Sequence, residues 1–373
     1  MARTTPDSIH FGELADLALK VREGERLTED EALRLFSCRD LTALGSLADL
    51  ARERQCGNQA TFILNRYINY SNYCILSCQF CAFARKKRDA DGFELSLEEI
   101  IQKGREALAC GVTELHIVGG LHPSLPSGFY LEMLRRLRAL SPDLRLKCFT
   151  AIEILHIAWL AKTSPRELLL QFKEAGLDSL TGGGAEIFRK EVRSAIARGK
   201  ESAAEWLDVH RTWHQLGGRS TCTMLFGHVE TIEDRVDHLR QLRALQDETS
   251  GFTGFVPLPY QPENNCIPVQ HPPTGLDILR TIAVSRLYLD NIPHITAYWV
   301  GLGLRLAQVA LSFGADDLHG TIMEEHIFHM AGASTPQSQE QQDMIKAIRE
   351  AGRVPVQRDT FYQPIRECAE AVP

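Results

Sequence analysis

From residue 61 the chain alternates short apolar, β-rich runs with amphipathic stretches of helical period. The runs fall at 62–69, 114–118, 144–149, 179–181, 220–226, 253–257, 294–300 and 317–318. Between them, Leu97, Ile100, Ile101, Gly104 and Leu108 recur at the spacing that lines one face of a helix. Ser96/Glu99, Ser164/Glu167, Ser202/Glu205, Thr231/Asp234 and Thr274/Asp277 have the spacing of capping boxes, and Pro165 follows Ser164 at the first helical position. Gly111, Gly176, Gly217 and Gly251 stand just before the next run, where a helix ends in the left-handed conformation that glycine adopts freely.

Eight strand–helix repeats with strands apolar nearly throughout predict parallel strands covered by helices. An open doubly wound sheet competes, but a count of eight favours an α/β fold of the (β/α)8 TIM-barrel type. Residues 1–60 contain no strand pattern. A helix begun at Thr28 and another over 41–54 make them an N-terminal helical cap. The barrel is expected over 61–320 and a C-terminal helical extension or tail over 321–373. In either architecture the active site lies at the C-terminal ends of the strands.

Composition narrows the function. The 373 residues are 44% hydrophobic and 24% charged with a net charge of -7, so neither a nucleic-acid nor an anionic-membrane partner is expected. No run of 18 apolar residues occurs, and the N-terminus lacks the apolar segment of a signal peptide, so a cytoplasmic location is expected. Ten cysteines in a chain this long are not needed as disulfide staples, which raises metal binding instead.

The strongest motif follows the first strand. Cys74, Cys78 and Cys81 are spaced Cys-x3-Cys-x2-Cys, a pattern that chance would produce roughly 0.007 times in such a chain. Three thiolates on one loop can hold three irons of a [4Fe-4S] cube and leave the fourth iron open, unlike a four-cysteine electron-transfer cluster. The alternative is a zinc site completed by a distant residue, and zinc cysteines usually come as two separated pairs. Cys38, Cys56, Cys110, Cys148, Cys222, Cys266 and Cys368 have no ligand spacing.

The three cysteines, with Phe80 beside the last, resemble the loop of the radical S-adenosylmethionine superfamily. A longer ordered set of blocks resembles the aminodeoxyfutalosine synthase family of menaquinone biosynthesis. These blocks include Asn69-Tyr-Ser-Asn, His116-Ile-Val-Gly-Gly-Leu-His-Pro123, Phe149-Thr-Ala-Ile-Glu153, Gly176 to Glu186, Thr223 to Glu230, Pro262-Glu-Asn264, Ala297-Tyr-Trp-Val300 and Phe313 to Leu318. The resemblance implies that the open iron chelates S-adenosylmethionine and that the 5′-deoxyadenosyl radical adds to the enol ether of 3-[(1-carboxyvinyl)oxy]benzoate. After rearrangement, the product is 6-amino-6-deoxyfutalosine. A hydrogen-abstracting relative on the same scaffold is the alternative: the later cyclase of that pathway, or the deazaflavin-forming enzyme that acts on tyrosine. A non-catalytic iron–sulfur or zinc protein is a further one.

Site residues follow from the strand ends. Gly119 and Gly120 match the pair that meets the methionine amino group in the superfamily, and as a strand-to-helix turn they have an ordinary alternative. Glu153 is expected on the ribose hydroxyls or at a helix start. Phe80, Thr181, Glu186 and Met224 are the other cofactor-binding candidates, and Asn69 and His122 are substrate-contact candidates. His228 and Glu230 are the catalytic candidates, with His228 also able to hydrogen-bond a substrate carboxylate. Tyr298 and Trp299 read as packing. The run Arg85-Lys-Lys-Arg88 reads as a solvated loop or as a docking patch for a flavodoxin or ferredoxin electron donor.

Overall fold

A computed structural model describes residues 11–368; the first ten residues of the expected cap and the last five of the expected C-terminal tail lie outside the described residues. The strands are β1 (Gln59–Ile63), β2 (Asn65–Ile68), β3 (Glu114–Ile117), β4 (Arg145–Cys148), β5 (Ser179–Leu180), β6 (Arg219–Phe226), β7 (Phe252–Pro259), β8 (His294–Ile295), β9 (Asp317–Gly320), β10 (Val354–Arg358) and β11 (Pro364–Glu367). Strands β2 to β8 form a parallel sheet in sequence order. β9 closes the curl. It pairs with β1 through Thr61 and Ile63, while Asp316 N–H donates to Ile295 O (3.1 Å) and Ala297 N–H to Asp317 O (2.8 Å). β1 and β2 act as one strand broken at Leu64. The Asn65 side chain fills the break, accepting from Ile322 N–H (2.9 Å) and donating to Glu114 (3.3 Å).

The helix starts follow from local chemistry. Reciprocal capping boxes close at Ser96/Glu99, Ser164/Glu167, Ser202/Glu205 and Thr231/Asp234, and two more appear at Thr28/Glu31 and Thr150/Glu153. At Thr274 only the side-chain half forms. Gly111, Gly176 and Gly217 take positive φ, but Gly251 does not: Ser250 makes the left-handed turn there. A Cβ on Gly251 would lie 2.0 Å from the His214 ring, so close packing explains this glycine. The run 294–300 is shorter as a strand than expected, because Trp299–Leu302 turns into a helix.

The C-terminal extension contains the helix Gln341–Glu350, and it adds two strands to the helical expectation. β10 runs parallel to β1 and β11 antiparallel to β10. Arg358, Thr360 and Tyr362, all buried, reach Asp317, Glu114 and Thr296, so this segment plugs the N-terminal end of the barrel. The helices Ala15–Glu23, Glu29–Ser37 and Leu41–Cys56 precede β1, and Asp49 on the last of them pairs with Arg353 at the start of the C-terminal strands. No helix among the described residues is long and apolar enough to cross a membrane.

Burial makes the fold acid-sensitive. His214, His238 and His319 are pushed down to about 3 by burial, and His116 and His210 are also held well below the usual imidazole range. Their hydrogen bonds suit neutral rings. Thr249 Oγ1 donates to Leu245 O and so accepts from His214 Nδ1–H (2.8 Å); Ser220 Oγ then donates to His214 Nε2 and accepts from His210 Nδ1–H. Below pH 6.5 the unfolded chain takes up protons that the folded chain refuses, so stability falls with pH by about 1.4 kcal/mol per unit per histidine. Glu201, raised to about 7 by burial, and Glu153, also raised by burial, oppose this in part. The guanidinium midpoint is expected to drop between pH 7 and pH 5.5; an unchanged midpoint would contradict the neutral-histidine reading.

Candidate active site

The barrel encloses one large cavity at the C-terminal ends of its strands, lined by all three motif cysteines. Strand alternation decides which side chains reach it. On β6, Thr221, Thr223 and Leu225 line the cavity, whereas Met224 is fully buried on the opposite face among the helices. Met224 therefore does not contact a ligand in the cavity, contrary to expectation.

The cysteine loop is held from several sides. Cys74 N–H donates to Arg85 O (2.9 Å), Gln79 N–H to Ile196 O (2.8 Å) and Cys266 N–H to Gln79 O (2.7 Å). Lys86 Nζ donates to the carbonyls of Cys74 (2.8 Å), Ile75 (3.1 Å) and Leu76 (2.9 Å). Three converging carbonyls on one ammonium fix the loop's curvature. Lys86→Met leaves them without it, a loss of about 1–3 kcal/mol. Iron retained after reconstitution is expected to fall below that of the wild type, while Lys87→Met retains it; equal iron content in the two variants would refute this role.

The thiols suit a cluster better than one ion. Among the described residues, the trio of potential ligands whose atoms lie within 4.8 Å of one another is Cys56, His294 and Asp316, at the other end of the barrel. The loop thiols are thus spread more widely than the roughly 3.8 Å sulfur separations of a tetrahedral zinc site with 2.3 Å bonds. Burial pushes the Cys78 thiol up to about 12, against the pull of the Lys200 ammonium, so metal uptake must displace its proton. Asp316 already pairs with Arg286 and His294, which makes the Cys56 trio part of a buried ion-pair cluster.

The glycines beside the loop are required by packing. A Cβ on Gly120 would lie 2.3 Å from Tyr73 O, and one on Gly119 2.5 Å from the Tyr70 ring. Both residues line the cavity. Of its two expected roles Glu153 takes the helix start, and its carboxylate is spent on protein donors rather than left for ribose hydroxyls. It closes the capping box with Thr150, and its Oε1 accepts from Gly119 N–H (3.0 Å) and Tyr70 Oη–H (2.7 Å). Its Oε2 accepts from Thr150 N–H (2.8 Å) and Oγ1–H (2.7 Å). Its lone pairs are thus spent on holding the rim together.

On the facing side, Glu186 Oε1 pairs with Lys200 Nζ at 2.6 Å, and Lys200 lies 5.0 Å above the Phe80 ring. Burial alone would discharge Lys200, but Glu186 and Glu201 hold it charged. Thr181 Oγ1–H donates to Phe149 O (2.9 Å), which ties the β5 end to β4. Phe80, Thr181, Glu186 and Lys200 share the cavity with the cysteines.

Other candidates are placed elsewhere. His228 and Glu230 line a separate small pocket outside the barrel cavity, with Arg235, His271 and Asp277. Glu230 accepts from Gly227 N–H (2.6 Å), His228 N–H (2.9 Å) and Arg235 Nε–H (2.8 Å). His228 Nδ1 accepts from Val229 N–H (2.7 Å), so its Nε2–H donates to Leu225 O (3.0 Å). Every polar atom of the pair is used in the β6 turn, which corrects the expectation of a catalytic pair. Asn69 is buried and donates to Val118 O (3.1 Å), and His122 Nε2 pairs with Glu94 at 2.7 Å. Neither lines the cavity. Of the basic run, Arg85 pairs with Asp91 and Lys86 is used internally, while Lys87 and Arg88 are exposed.

Several cavity residues were not expected: Tyr67, His116, Lys147, Lys200, His319 and Glu325. Tyr298, expected as packing, also lines it, while Trp299 does pack in the core. A signal existed for part of this set. Glu114-Leu-His116-Ile and Arg145-Leu-Lys147-Cys alternate polar and apolar within strands otherwise read as apolar throughout.

A cysteine loop at the mouth of a closed parallel barrel, beside a glycine pair, defines the class. The chain belongs to the radical S-adenosylmethionine superfamily: residues 68–242 match the Radical SAM superfamily and residues 249–372 the CofH/MqnC C-terminal region. It is 44% identical to the aminodeoxyfutalosine synthase of Thermus thermophilus over 95% of this chain and 96% of that one. It is 40% identical to the cyclic dehypoxanthine futalosine synthase of Streptomyces coelicolor, over 91% of this chain and 86% of that one. The fold matches the crystal structure of methylornithine synthase with a TM-score of 0.73, at 20% identity, over 91% of this chain and 97% of that one. The superfamily uses a [4Fe-4S] cluster and S-adenosylmethionine, and the three thiols fit such a cluster.

Proposed function

We propose that the protein is an aminodeoxyfutalosine synthase. It joins the adenosyl group of S-adenosylmethionine to 3-[(1-carboxyvinyl)oxy]benzoate, forming 6-amino-6-deoxyfutalosine and releasing methionine and bicarbonate. The observation that carries this reading is the 44% identity to such a synthase along 95% of the chain, above the 40% to the futalosine cyclase. When bound, the cluster and S-adenosylmethionine supply the 5′-deoxyadenosyl radical.

The chain's own residues prepare the site. Cys74, Cys78 and Cys81 hold the cluster. Glu153 fixes the Gly119–Gly120 edge, and the Phe80–Lys200–Glu186 stack walls the opposite side beside Cys78. Val118, Leu225, Val256 and Leu258 give the cavity apolar walls that exclude water from a reactive intermediate. Lys87 and Arg88 are the exposed cations nearest the loop in sequence, where an acidic flavodoxin or ferredoxin would dock. Reversing both charges should then remove the salt dependence of cluster reduction.

Anaerobic turnover with the enol-ether benzoate, followed by mass analysis of the nucleoside, tests the reaction. The adenosylated adduct is expected. Free 5′-deoxyadenosine as the main product would replace this reading with a hydrogen-abstracting one.

A further inference from the structure

The middle layer of the barrel interior is polar on one side. Tyr67, His116 and Lys147 stand level across β2, β3 and β4, because the strand register pairs Tyr67 with His116 and His116 with Lys147. All three line the cavity. The layer lies one pleat below Val118, which lines the same cavity and leads into the Gly119–Gly120 rim.

Most polar groups around this layer already have partners. Tyr67 Oη meets His319 Nε2 at 3.2 Å, and the Tyr67 ring stacks on His116 at 4.2 Å. Asp317 is held by Arg358 at 2.6 Å. Glu114 accepts from Asn65 (3.3 Å) and Thr360 (2.9 Å). Lys147 is different. It is 4% exposed, and its ammonium has no hydrogen bond and no ion pair among the described residues. Glu114 and Asp317 act on it only as more distant charges, and burial lowers its pKa from the ordinary lysine value.

An unpartnered ammonium in a largely apolar cavity loses most of its hydration without compensation. A carboxylate placed beside it restores a partner, and the water-poor surroundings strengthen the contact. Lys200, at the rim, is already neutralised by Glu186. Among the described residues that line the cavity, Lys147 is therefore the available lysine cation.

We propose that Lys147 is the anchor for the ring carboxylate of the substrate. This deepens the synthase reading and rests on it. The vinyl end must meet the adenosyl group at the level of the cysteine loop, and its own carboxylate travels with it. The carboxylate across the ring is the one that reaches one pleat deeper. A pleat repeat of two residues rises about 6.6 Å, comparable with the width of a meta-substituted ring.

The test compares two ligands on the reconstituted, unreduced enzyme loaded with S-adenosylmethionine, by isothermal titration. One is 3-[(1-carboxyvinyl)oxy]benzoate. The other is 2-phenoxyacrylate, the same enol ether without the ring carboxylate. The wild type is expected to prefer the dicarboxylate by about 100-fold, the scale of a desolvated charge contact. In Lys147→Met that preference should collapse to within about threefold, and Lys147→Arg should restore part of it. S-adenosylmethionine affinity, iron content and the cluster absorption band should not change. Lys147→Gln serves in place of Lys147→Met if the latter loses its cluster.

A neutral variant that keeps the full preference, or a wild type that shows none, would overturn the assignment. The two readings fail separately. A protein that binds with the expected preference but releases 5′-deoxyadenosine loses the synthase reading alone. One that forms the adduct but keeps the preference without Lys147 loses the anchor alone. If the wild type binds neither ligand, both fall.

Discussion

Gly120→Ala is expected to abolish productive cluster assembly and to lower S-adenosylmethionine cleavage by about 100-fold, the scale that misplacement by 1 Å imposes on a catalytic geometry. The new methyl would lie 2.3 Å from Tyr73 O, 2.8 Å from Tyr73 C and 3.1 Å from Asn72 C. These are backbone atoms, so no rotamer change relieves the contact, and overpacking of this kind costs about 1–3 kcal/mol. Relief requires the loop to move, and the residue after Tyr73 is Cys74. The backbone at Gly120 is itself tied down, because its N–H donates to Ser71 O at 2.8 Å. Gly128→Ala is the control, since nothing lies within 4 Å of its Cβ position. Iron per chain and the rate of reductive cleavage measure both variants. Wild-type iron content in Gly120→Ala would show that the loop gives way without cost.

The second large effect is on stability. Arg358→Met should destabilise the fold by about 3–5 kcal/mol, because it leaves a buried carboxylate without its cation. Asp317 and Arg358 are 0% and 3% exposed, and the guanidinium meets both carboxylate oxygens, at 2.6 and 3.1 Å. Burial alone would raise the pKa of Asp317, but Arg358 and its hydrogen bonds hold it below the ordinary value. In the wild type, this pair contributes stability above the ordinary Asp pKa that is lost on acidification. In Arg358→Met the sign reverses. The folded carboxyl prefers its proton, so the deficit should be larger at pH 8 than at pH 5. Adding Asp317→Asn should recover part of the loss. Chemical denaturation at the two pH values measures this, and a deficit below about 1 kcal/mol would mean that β10 is not a structural part of the barrel floor.

Much of this architecture was legible in the chain because its signals are local. Capping boxes at Ser96, Ser164, Ser202 and Thr231 need only a hydroxyl and a carboxylate three residues apart, and each closes as written. The cysteine spacing sits on one loop and survives folding intact. The candidates at the β6 end did not fare so well. His228, Glu230 and Met224 lie near the right strand end in sequence, yet a period of two sends Met224 outward, and Arg235 draws Glu230 into the turn.

The C-terminal strands were also hidden. Val354–Arg358 becomes a strand because β1 offers it an open edge, a partner nearly three hundred residues away.

The sequence by itself determined the repeat of strand and helix, the three cluster thiols, and the superfamily to which they point. Those properties depend on residues close together along the chain. Only the tertiary structure decided which polar side chains face one another across the barrel. It turned Lys86 into a clasp for the cysteine loop, spent Glu153 on the rim, and left Lys147 as a buried cation without a partner among the described residues. Such roles depend on strand parity and register, where a shift of one residue sends a side chain to the opposite face.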